Sequence, residues 1–269
     1  MSVSVIRYSA VCLMAVSFLS SSALADYNCT KSPDCASLGY TVNASDCDEG
    51  IKVLCPTDMS KAFCQKKLPE APLPILYGDG TVDKKILADK TPIGIVFDTD
   101  NKLAVALTDV KKDGTAGSET MYWSENYCDV FGLTNCEYDD GDPAIDSCGV
   151  DGRANTDATF ASTCLGTTYA ANAVNAYNPN GCSKDFCKET KWFLPSMRDL
   201  AKIYSNKAGI NASLSLLNSF GAKTLTENYY WSSTEQIDDS IWSFAMNSGG
   251  SFWGHKSNDE SYVRPVVKY

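Results

Sequence analysis

Few residues in this chain have side chains suited to chemistry, and their spacing limits what that chemistry could be. His255 is its one histidine, so any histidine-based proton transfer has to run through it. It follows Gly254 at the end of an apolar run, with no identifiable residue to orient its ring. Such a histidine reads as a surface residue rather than a catalytic base. No G-x-S-x-G, H-E-x-x-H or glycine-rich phosphate loop occurs, so the common nucleophile, metal and phosphate signatures are missing. The residues point to a protein that is not an enzyme.

Two other groups can bind. Glu137, Asp139, Asp140 and Asp142, with Asp146 and Asp151 beyond, form an acidic loop. Calcium takes about six to eight oxygens, and closely spaced carboxylates can supply them. The spacing is not that of an EF-hand, so these four residues are a calcium candidate set against a solvated acidic loop. No other cofactor is expected. The second group is aromatic. Trp123, Trp192, Trp231, Trp242 and Trp253 are accompanied by Tyr229 and Tyr230. Trp192, Trp231 and Trp242 lie in apolar runs and are expected in the core. Trp253 lies in Gly-Gly-Ser-Phe-Trp-Gly-His-Lys, a glycine-flanked hairpin end. Phe252, Trp253, His255 and Lys256 are therefore the candidate ligand-binding patch, because binding residues concentrate in loops.

These groups need a scaffold. Trp192 to Leu194 reads as a short strand stopped by Pro195, which cannot donate to a ladder. Ser196 then stands where a helix N-cap belongs, with Asp199 three residues on, a capping-box pattern. Met197, Leu200, Ala201 and Tyr204 follow at helical spacing. Pro92 to Asp98 and Leu103 to Val110 read as a hairpin buried on both faces, turning through Thr99–Lys102. Residues 111–160 read as loop. Thr168 to Tyr177 predicts a helix, and Ala212 to Ser219 a second, with Asn211 as cap and Gly221 beyond its end. Trp231, Trp242 and Trp253 are expected on successive strands, the last two joined by a turn over Asn247–Gly250. Arg264 reads as half of a buried ion pair, with Asp199 or Glu235 as partner.

This order of segments resembles the bacterial Lcl C-terminal domain family. The resemblance rests on Trp192 to Leu200 (W-x-L-P-S-x-x-D-L, with Asp199 where Glu is usual), Tyr230 to Thr234 (Y-W-S-S-T), Ile241 to Met246, and Val263 to Val266 (V-R-P-V). Thr91 to Phe97 is similar to the start of the same domain. The resemblance implies an α+β, C-type-lectin-like fold over residues 72–269: antiparallel strands with two or three short helices. It also implies a role in adhesion or carbohydrate binding at a bacterial surface. One member binds sulfated glycans. The charge here argues against carrying that over: residues 26–150 hold 11 lysines, no arginine and 22 acidic residues, while residues 151–269 balance 11 against 11. That acidity also excludes nucleic acid as a partner.

Residues 1–25 read as a signal peptide, with an apolar run over Val11–Leu19 and Ala23-Leu24-Ala25 before the cut. No later segment is apolar enough to span a bilayer. The expected destination is outside the cytoplasm, in the periplasm or on the outer cell surface. There disulfides are the default for cysteine. The candidates are Cys29, Cys35, Cys47, Cys55 and Cys64 in a Cys-rich module over residues 26–70, then Cys128, Cys136, Cys148, Cys164, Cys182 and Cys187. Close Cys pairs of the zinc type are absent. Eleven is an odd number, which leaves room for a free thiol, a bridge between modules, or a bridge between chains. The sequence thus supports an exported recognition protein with a glycan or protein ligand. The alternative is a structural surface-assembly protein, a homo-oligomer cross-linked through its odd cysteine, with the lectin-like domain as scaffold.

Overall fold

The hairpin expected over residues 92–110 is the centre of the fold. The structure, a computed structural model, describes residues 51–55, 58–65, 70–127, 129–137, 143–162 and 169–269. These fall into two units. One contains the hairpin of β1 (Ile51–Cys55) and β2 (Asp58–Gln65), which pair antiparallel, and takes in Lys85–Asp89. The other spans Ala71–Lys84 and Lys90–Tyr269. Its strands, in chain order, are β3 (Ile75–Tyr77), β4 (Val82–Asp83), β5 (Pro92–Asp98), β6 (Leu103–Ala106), β7 (Met121–Tyr122), β8 (Trp192–Phe193), β9 (Tyr229–Ile237), β10 (Ser240–Ala245), β11 (Ser251–His255), β12 (Glu260–Ser261) and β13 (Val266–Lys268). Its helices are α1 (Pro143–Asp146), α2 (Gly152–Ala161), α3 (Tyr169–Ala176), α4 (Met197–Ser205) and α5 (Lys207–Leu216).

The second unit is α+β with antiparallel sheets. Its largest sheet has the order β4-β3-β5-β6-β13-β8. Every residue of β5 is buried, as its unbroken apolar run requires. Asp98 closes the β5–β6 turn: its carboxylate accepts from the Asn101 N–H (3.0 Å) and the Asn101 amide (2.8 Å). Lys102 takes the left-handed backbone, φ 56°. Gly94 is needed for the pairing, since a Cβ there would stand 2.7 Å from the Val105 carbonyl oxygen. α4 and α5 pack on β5, and α3 packs on β8. The main apolar cluster gathers Trp123, Trp192, Trp231, Val96, Val174 and Val267.

The four segments with spaced motifs are joined to one another. Ser196 caps α4, accepting from the Asp199 N–H while the Asp199 carboxylate accepts from the Ser196 N–H. The Ser233 N–H of β9 donates to the Pro195 carbonyl (2.8 Å), and the Met197 N–H donates to Thr234 Oγ1 (3.1 Å). Val266 and Val267 pair with Phe193 and Trp192 on one side and with Val105 and Ala104 on the other. The short strand β8, the start of α4, strand β9 and the chain end therefore form one hydrogen-bonded unit.

Some expectations are corrected. Residues 111–160 are not all loop, because they hold β7, α1 and all but the last residue of α2. α2 escapes periodicity because its buried face is polar: Thr156 and Thr159 turn their hydroxyls onto the Gly152 and Asn155 carbonyls, and Asp151 caps it at the Ala154 N–H. α5 begins at Lys207, five residues before the expected start. Asn211 is inside it, and its side-chain oxygen accepts from the Leu225 N–H (2.9 Å) rather than capping. Gly221 does take the left-handed conformation, φ 83°, after a 3-10 turn over Asn218–Phe220. Arg264 is buried in an ion pair, but its partner is Asp109 rather than Asp199 or Glu235, each of which already has a partner of its own. Among the described residues no helix is long and apolar enough to cross a membrane.

Two disulfides are described, Cys136–Cys148 and Cys182–Cys187. The pairs span short loops, with Cα–Cα separations of 5.6 and 5.7 Å. Cys29, Cys35, Cys47, Cys128 and Cys164 lie outside the described residues, as do the side chains of Cys55 and Cys64 on β1 and β2.

Candidate functional site

β9, β10 and β11 form a three-stranded antiparallel sheet in the order β11-β10-β9, with β11 at its edge. Trp242 is paired with Trp253, and Ser240 with His255. Strand alternation places Trp253 and His255 on one face, Phe252 and Gly254 on the other. The candidate patch is therefore two patches. Phe252 packs edge-on against Tyr229, with centroids 5.2 Å apart. Gly254 lies against Trp231, where a Cβ would come to 2.9 Å from Cη2.

On the other face, Trp253 and His255 meet edge to face at 5.6 Å. Tyr127 closes the group, its ring 6.1 Å from His255. Trp253 is 53% exposed and Tyr127 51%. Asn258 Nδ2 donates to the Tyr127 hydroxyl oxygen (2.7 Å), and Asp259 accepts from the His255 N–H (2.7 Å). Asp239 Oδ2 stands 4.0 Å from His255 Nδ1. Asp238, Asn258, Asp259 and Glu260 are exposed at or beside the cluster. Two exposed rings, an imidazole and a polar rim thus face solvent together.

The cluster rests on a dry base. Trp123 is fully buried and donates its indole N–H to the Ser232 carbonyl (3.2 Å). Trp242 donates to Cys136 O (2.8 Å) and Trp231 to Met121 O (2.7 Å). Each buried indole has its hydrogen bond, as burial requires. The Ser124 N–H donates to the Lys256 carbonyl (2.9 Å), which fixes the 124–127 segment beside the end of β11.

Lys256 is a correction. It is not a surface ligand contact but fully buried, its ammonium on Glu235 and on the Asp238 carbonyl (2.8 Å). The sequence Trp-Gly-His-Lys gave no sign of the turn after His255 that carries the lysine inward. The residue that sequence reading missed is Tyr127. It lies more than 120 positions from Trp253, in a stretch without periodicity, and only tertiary contacts (Ser124 with Lys256, Asn258 with the Tyr127 hydroxyl) bring it in.

The calcium candidates are not assembled into a described site. Glu137 is exposed, and Asp139, Asp140 and Asp142 lie outside the described residues. Asp151 caps α2. Among the described residues, no group of three or more His, Cys, Asp or Glu side chains is placed to hold a metal ion.

No family model matches the chain. No curated protein matches it either. Among solved structures it is similar to a fimbrial protein from Bacteroides ovatus ATCC 8483, at 16% identity and a TM-score of 0.46. That match covers 76% of this chain and 49% of the other, so the chain spans about half the length of the structure it matches.

Proposed function

We propose that this chain is an exported, non-enzymatic recognition protein of a bacterial surface that binds a neutral carbohydrate through Trp253, Tyr127 and His255. Export rests on the apolar N-terminal run and its small-residue site. A C-type-lectin-like fold for residues 72–269, and membership of the Lcl C-terminal domain family, rest on the four ordered motifs. The observation that carries the reading is the aromatic cluster: two large rings about half exposed, gathered from segments far apart in sequence, beside Asn258, Asp239 and Asp259. Rigid aromatics offer contact area at low entropic cost, and a few fixed polar groups orient the ligand. Pyranose rings have an apolar C–H face to stack and hydroxyls for the rim. The acidic rim disfavours sulfated glycans.

Tryptophan fluorescence tests this directly. The other four tryptophans are buried, so Trp253 is the one whose surroundings a surface ligand can change. A neutral oligosaccharide that stacks on it should shift emission to the blue, and Tyr127→Ala should weaken the titration. If no neutral sugar moves the spectrum, the carbohydrate reading fails.

A further inference from the structure

Beneath the aromatic cluster, Lys256 and Glu235 meet with neither side chain reaching solvent. Glu235 Oε1 accepts from Lys256 Nζ and from the Val130 N–H (3.3 Å). Lys256 Nζ also donates to the Asp238 carbonyl (2.8 Å) and lies 5.4 Å from the Trp123 ring centre. Glu235 Oε2 is different: it is buried and accepts no hydrogen bond. As an ion pair this arrangement is costly, because two charges are desolvated and one carboxylate oxygen is left without compensation. Burial pushes the Glu235 carboxyl up, with Asp129 and against the pull of Lys256, and pushes the Lys256 amine down, against the pull of Glu235, Asp129 and Asp238. Both shifts lower the cost of passing the proton from the ammonium to the carboxylate, which gives the neutral acid beside the neutral amine. A neutral amine is a nucleophile, and a protonated carboxyl can lose water.

We propose that Lys256 and Glu235 condense into a side-chain amide bond. Lys256 Nζ attacks Glu235 Cδ. Negative charge develops on Oε1, toward which the Val130 N–H already donates. A proton passes from Nζ to the Oε2 hydroxyl, which leaves as water. The Nζ–Cδ bond forms, the Cδ–Oε2 bond breaks, and no oxidant, reductant or further reactant is needed. The amide keeps Oε1 on Val130 and one N–H for the Asp238 carbonyl. The atom it discards is the one buried oxygen of the pair that lacks a partner. The bond would tie β9 to the residue after β11 and close the hairpin carrying Trp253. A cross-link of that kind stabilises by restricting the unfolded chain. The inference stands on the buried pair and does not depend on what the aromatic cluster binds.

Trypsin mapping of the reduced full chain decides it. Trypsin cannot cut after an acylated lysine, so wild type should yield Thr224–Lys268 as one peptide, lighter by one water, with fragmentation placing the ring between Glu235 and Lys256. Lys256→Arg keeps the charge pair but cannot form the amide, and should give two peptides at full mass, cut after position 256. If wild type is also cut after Lys256 and yields Thr224–Lys256 at full mass, the bond is absent and the proposal is overturned.

Discussion

Arg264 and Asp109 form a buried ion pair, with Nη1 2.9 Å from Oδ1 and both side chains shut off from solvent. The site is a hub. Arg264 Nη2 donates to the Leu107 (3.2 Å) and Lys223 (2.6 Å) carbonyls, while Asp109 also accepts from the Tyr230 (3.1 Å) and Ser118 (2.8 Å) hydroxyls. Removing one member of a buried pair strands the other's charge and costs about 3–5 kcal/mol. Arg264→Ala is therefore expected to lower unfolding stability by that order in urea titration. Arg264→Lys should recover only part, since one ammonium cannot reach three acceptors with the geometry of a guanidinium.

The capping box at Ser196 is a second test of the scaffold. Its hydroxyl caps Asp199 and also donates to the Val150 carbonyl (2.9 Å). Ser196→Ala should cost about 1 kcal/mol or somewhat more, the range for a lost N-cap. Ser196→Thr should cost less. A thermal melt reads both.

How much of this was legible in advance depends on locality. The Ser196 cap, the β5–β6 hairpin and the placing of Trp231, Trp242 and Trp253 on successive strands follow from spacing, because the interactions that make them span only a few residues. Burial of Arg264 was also legible, since an arginine inside an apolar run must be paired. Its partner was not: Asp109 lies in the chain after β6, and nothing local distinguishes it from Asp199. The candidate site shows the same division. Trp253 and His255 share a face by alternation, which a sequence reveals. Tyr127 joins them only through tertiary contact, and Lys256 leaves them because a turn rotates it inward.

Acid should expose one ion pair. Burial of Asp98 acts to raise its pKa, but Lys202 and the Asn101 hydrogen bonds outweigh it and hold the carboxyl at about 2, from an ordinary 3.8. A carboxyl depressed in the folded state stabilises above its unfolded pKa. That contribution is lost as pH falls from about 4 toward 2. Lys202 is 39% exposed, so solvent screens the pair and about 1 kcal/mol is at stake. Stability curves of wild type and Asp98→Asn should separate above pH 4, draw together as pH falls, and meet near pH 2.

Gly254 holds the hairpin close to Trp231. A methyl group there would meet Trp231 Cη2 at 2.9 Å and Asp259 Oδ2 at 3.2 Å. Gly254→Ala should destabilise by roughly 1–3 kcal/mol, as overpacking does. It should also disturb the Asp259 contact to the His255 N–H, so any ligand titration should weaken with it.

The most direct measurement is a neutral-glycan array probed in parallel with wild type, Trp253→Ala and Phe252→Ala, all spanning residues 26–269. Both variants truncate half-exposed rings that pack on one neighbour each, so each should cost about 1 kcal/mol of stability and leave the fold intact. Because Trp253 and Phe252 point to opposite faces of β11, only one of them belongs to the cluster with Tyr127 and His255. Selective binding by wild type, retained in Phe252→Ala and lost in Trp253→Ala, is the expected result. An array silent for wild type, or a signal that survives in Trp253→Ala, would contradict the assignment of this face as a sugar site.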